Sequence, residues 1–116
     1  MINLLVDEAY AFDFISVLDI KKTNSSKNKE NFDITCEYVR TQVGHELFDN
    51  IINSDLYDEM VNANKVIYDL IDDIRVRYIK MDAKIVDDAN NQRFFLKRKL
   101  QEQFFNDKLT ESKNNI

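Results

Sequence analysis

Residues 54–75 read Ser54-Asp-Leu-Tyr-Asp-Glu-Met-Val-Asn-Ala-Asn-Lys-Val-Ile-Tyr-Asp-Leu-Ile-Asp-Asp-Ile-Arg75. Met60, Ala63, Ile67, Leu70, Ile71 and Ile74 recur in this stretch at three- and four-residue steps. That is the period of a helix with one apolar face. Ser54 is a good N-cap, because its hydroxyl can accept from a free N–H of the first turn. Asp55, Asp58 and Glu59 follow where the helix dipole favours acids, and Arg75, Arg77 and Lys80 stand near the end, where it favours bases.

The same period extends outward on both sides. Phe32, Cys36, Val39, Val43, Leu47 and Ile51 predict a helix that starts near Asp33. Gly44 falls inside that pattern, at a cost of about 1 kcal/mol against Ala; a close helix crossing or a local bend would account for it. Val86, Ala89, Leu96, Leu100 and Phe104 predict a long last helix, capped by Asp82 and running to about Phe105. Towards the N-terminus, Ala9, Phe12, Ile15, Val17, Leu18 and Ile20 are too dense for one stripe, so the helix from about Val6 to Lys21 should be central. Residues 21–31 contain no apolar side chain and read as a solvated loop.

Composition agrees with a helical chain. The 116 residues include one Gly and no Pro, although β-rich domains use both for turns and bulges. Apolar residues make up 44%, with eight Phe and five Tyr, enough for one core. The expectation is an all-α, up-and-down bundle of three to four helices with a long C-terminal helix. Residues 1–106 should form the domain, and residues 107–116 a polar, frayed tail.

The net charge of −5 disfavours nucleic acid and anionic membrane surfaces as partners. No apolar run approaches the ~20 residues a membrane span needs. The N-terminus lacks the basic start of a signal peptide. A single cysteine, Cys36, fits a reducing cytoplasmic setting. His45 is the only histidine and has no Cys or acid cluster beside it in sequence, so no zinc site is expected and His45 reads as a partly buried structural residue. Cys36 reads as a core thiol.

Several polar residues fall where periodicity calls for apolar ones. Asn64, Tyr68, Asp72 and Arg75 share a face of the third predicted helix. On the last, Asn90, Arg93 and Lys97 follow at i, i+3 and i+7, with Arg93 in a core slot between Ala89 and Leu96. Asp13 lies among the apolar residues of the first helix. A buried charge is costly unless paired, so Arg93 should meet an acid, either Asp72 or Asp13. The primary reading is a structural network that sets the register of the helices. The functional reading is a pocket in which Arg75, Arg93 and Lys97 hold a small anion such as phosphate or carboxylate.

The order of these residues resembles a family of small bacterial proteins of unknown function, some encoded near glycosyltransferase and surface-polysaccharide genes. Three motifs carry the resemblance: Asp13-Phe-Ile-Ser-Val-Leu-Asp-Ile-Lys21; Asn64 through Arg75, with Tyr68 where the family usually has Trp; and the set Val86, Asn90, Arg93 and Lys97. Tyr10 and Ala11 stand where the family has a glycine and an acid, and the stretch between Arg75 and Val86 is shorter. The resemblance implies that Asn64, Asp72, Arg75, Asn90 and Arg93 form one unit, and it implies no activity.

A small non-enzymatic binding or accessory protein without a cofactor is therefore expected. Phe94, Phe95, Phe104 and Phe105 exceed what one stripe can bury, which predicts a homodimer through the last helix. The alternative is a metal-dependent hydrolase of nucleotide-like phosphates. Asp69, Asp72, Asp73, Asp87 and Asp88 faintly resemble the acidic motifs of the all-helical nucleotide pyrophosphohydrolases, although the paired Glu motifs of that family are absent.

Overall fold

The computed structural model describes residues 1–76 and 83–110, and the side chains of residues 73–76 fall outside that description. Five helices lie among the described residues: α1 (Glu8–Lys21), α2 (Ser26–Val43), α3 (His45–Ile52), α4 (Asp55–Val76) and α5 (Ala83–Phe105). No strand occurs among the described residues, so the protein is all-α there. None of these helices is long and apolar enough to cross a membrane. The expected cap at Asp82 lies outside the described residues.

The helix count exceeds the expected three to four for one reason, the backbone at Gly44. This residue has φ 98° and ψ 144°, a conformation open to glycine and strained for other residues. Its N–H donates to the Arg40 carbonyl at 2.9 Å and closes α2, and its own carbonyl accepts from Phe48 N–H at 3.0 Å and opens α3. Val43, Leu47 and Ile51 all pack in or against the core, so the apolar rhythm runs straight through the break and conceals it.

The expected loop over residues 21–31 is also corrected. Only Lys22–Ser25 separate α1 from α2, because Ser25 Oγ accepts from Asn28 N–H at 3.1 Å and starts α2 there. Lys29 and Asp33 then pair across one turn at 2.6 Å. A run without apolar side chains shows that a segment is solvated; it does not show that the segment is irregular. Ser54 does cap α4, accepting from Tyr57 N–H at 3.1 Å.

Helix α1 is central and packs on α2, α4 and α5. Ala9, Phe12 and Ile15 are fully buried among Phe48, Ile51, Met60, Leu96 and Leu100. The Phe12 ring lies 5.7 Å from that of Phe48 and 6.3 Å from that of Phe105, centroid to centroid. Asp13 and Ser16 are buried on the same side of α1. Its core face therefore carries two polar groups, and each needs a partner.

Candidate functional site

The partners of Asp13 come from α4 and α5. Its side chain is 3% exposed. Arg93 grips it from α5: Nε donates to Oδ1 at 3.0 Å and to Oδ2 at 3.1 Å, and Nη2 donates to Oδ2 at 2.7 Å. This fork-on-carboxylate arrangement is the strong geometry for such a pair. Lys97, one turn further along α5 and buried, brings Nζ to 3.9 Å from Oδ2. From α4, Asn64 Nδ2 donates to Asp13 Oδ1 at 2.8 Å and to Ser16 Oγ at 2.7 Å. Ser16 in turn donates to the Asp13 carbonyl at 2.6 Å.

Asp13, Asn64, Arg93 and Lys97 therefore meet at the junction of α1, α4 and α5. Asp72 and Asn90 stand exposed, so Arg93 takes Asp13 as its acid and not Asp72. The Arg75 side chain lies outside the described residues. Ser16 is a member that the sequence reading passed over, although its place one turn after Asp13 on the apolar side of α1 was available as a signal.

A second buried polar contact joins α5 to the start of α1. Gln101 on α5 is fully buried. Its Oε1 accepts from the Ala9 N–H at 2.9 Å, and its Nε2 donates to Glu8 at 3.3 Å. Asp7, at the N-cap of α1, makes no side-chain capping bond, so a side chain of α5 satisfies one of the N–H groups that a helix start leaves open. The Asp7 carboxylate instead accepts from Thr110 N–H and Oγ1, both at 2.8 Å. That contact, with Leu109 packed on the core, lays residues 109–110 back against the start of α1.

Cys36 and Tyr57 lie on another side of α1. Tyr57, 3% exposed, donates to Asp19 at 3.0 Å. Burial, and after it the Asp19 charge, push its phenol well above the usual range. The half-buried Cys36 thiol is pushed up to about 11, first by burial and then by the charges of Asp19 and Asp33. It is un-ionised near neutral pH and a poor nucleophile. His45 is exposed at the first position of α3, contrary to its expected partial burial.

Asp69, Asp72, Asp87 and Asp88 are all exposed. Among the described residues, no group of three or more His, Cys, Asp or Glu side chains is placed to hold a metal ion. No family model, curated protein or solved structure matches this chain.

Proposed function

We propose that the chain is a small non-enzymatic binding or accessory protein, in which the Asp13 network holds the helices in register and the surface makes the contacts. One observation carries this reading. The Asp13 carboxylate is enclosed, and Arg93 and Asn64 of its own chain donate to both of its oxygens. A carboxylate so engaged would have to break its own helix junction to serve as a base or a metal ligand. The anion held by Arg93 and Lys97 is this same carboxylate, so the site expected for a small anion works as an internal lock.

Self-association is part of the proposal. On α5, Phe104 and Phe105 pack on the core, whereas Phe95 is exposed. Larger apolar exposure lies at Leu4, Val6, Tyr10 and Phe14 and at Ile34 and Tyr38 of α2. We therefore place the dimer face on α1 and α2. Sedimentation velocity should show a dimer that Phe14→Asp dissociates and Phe95→Asp leaves intact. A monomer at every concentration would remove the dimer from the reading. Incubation with nucleoside triphosphates and magnesium or manganese should give no turnover. Turnover lost in Asp72→Asn or Asp87→Asn, both at exposed positions, would replace the reading with the hydrolase.

A further inference from the structure

The side of α1 that carries Asp19 borders a cleft of about 390 Å³, walled by Phe32, Phe48, Ile52 and the half-buried Cys36. That volume lies within the range of small-molecule sites. Its charged lining is Asp19, Asp33, Glu37 and Arg40, three carboxylates to one guanidinium, and the Tyr57 hydroxyl, which donates to Asp19, lines it as well. The guanidinium is engaged in part: Arg40 Nη2 lies 3.2 Å from Asp49 and the group is stacked over the Phe48 ring at 4.9 Å, while its buried Nε has no hydrogen-bond partner among the described residues.

Two of the chain's own ammonium groups contact the aromatic and acidic residues of the cleft wall. Lys22 Nζ sits 4.7 Å from the Phe32 ring centroid and 2.7 Å from Asp19. Lys29 Nζ sits 5.9 Å from the same centroid and 2.6 Å from Asp33. In each case an ammonium is held between an aromatic face and a carboxylate, the pairing from which amine-recognition sites are built. The Lys29–Asp33 pair is exposed on both sides, and such pairs are weakly held.

We propose that this cleft binds a small organic ammonium, a primary amine on a compact apolar body, between Phe32 and the carboxylates of Asp19 and Asp33. The amine replaces Lys29 at Asp33, and its apolar body lies against the partly buried Ile52. The site is separate from the Asp13 network. It extends the binding role proposed above, and its failure would leave the dimer and turnover results standing.

The test uses three ligands with nearly the same body and different charge: 2-phenylethylamine, 2-phenylethanol and phenylacetate. Each is titrated into the whole chain while amide shifts are followed by nuclear magnetic resonance. The amine should shift the Phe32, Cys36, Glu37 and Arg40 amides saturably and bind roughly tenfold tighter than the alcohol, with phenylacetate weakest. Asp33→Asn, at an exposed position, should weaken the amine about threefold or more and leave the alcohol unchanged. Phe32→Leu should weaken the amine as well. The proposal is overturned by no saturable shift, by an alcohol as tight as the amine, by tighter binding of phenylacetate, or by unchanged amine affinity in both variants.

Discussion

Asp13 of α1 and Arg93 of α5 lie eighty positions apart in the chain and share three hydrogen bonds of 2.7 to 3.1 Å. The carboxylate is buried, whereas the guanidinium is about one-third exposed. The two ends of the pair are therefore unequal: removing the arginine strands a buried charge, and removing the acid leaves a cation that can still reach water.

That asymmetry predicts the outcome of a double-mutant cycle. Arg93→Met should destabilise the fold by about 3 kcal/mol, the lower end for a broken buried pair, because Lys97 and Asn64 remain beside the carboxylate. Asp13→Asn should cost less. The double variant should cost clearly less than the sum of the two. Urea midpoints of the four proteins decide the matter, and additive losses would show that the two residues act independently.

Gln101→Leu removes the acceptor that serves Ala9 N–H and leaves a buried donor unsatisfied. A loss of about 1–3 kcal/mol is expected. Hydrogen exchange should localise it, with the Ala9 amide losing protection before those of α4. Uniform loss of protection along the chain would argue against a local capping role.

Gly44→Ala tests the break between α2 and α3. A Cβ there would meet nothing within 4 Å, so the only penalty is the positive φ. The cost should be about 1–3 kcal/mol from backbone strain. A stabilised variant would mean that α2 and α3 fuse into one straight helix through this position.

Alkaline pH should destabilise the fold. The folded chain holds the Cys36 proton more tightly than the unfolded chain, with the thiol at about 11 against an ordinary 9.0. Its contribution is therefore complete below about pH 9 and is lost as pH rises towards 11. Tyr57 shifts in the same direction and adds to the decline at higher pH. Thermal midpoints measured from about pH 8 to about pH 11 should fall, and Cys36→Ala should flatten the first part of that fall. A flat profile in the wild-type chain would mean that neither group is shielded from solvent.

Much of the helical content was legible in the residues. Periodicity located α4 and α5, the density of apolar residues in α1 marked it as central, and the Ser54 cap was identifiable because capping is a local interaction. Arg93 was conspicuous for the same reason, as a charge in a slot between Ala89 and Leu96 that a helix reserves for its core.

The tertiary structure alone decided which acid meets that arginine. Asn64 and Asp72 share a face of α4, and periodicity treats them alike because it reports direction around the helix axis. It does not report how far along the axis a neighbour extends. The later turns of α4 leave Val66, Tyr68, Ile71 and Asp72 exposed, whereas Asn64 lies where α1 crosses. Gln101 and Ala9 were beyond reach for a related reason. A cap supplied from ninety-two positions away leaves no local signal, and it exists only because α5 packs against the start of α1.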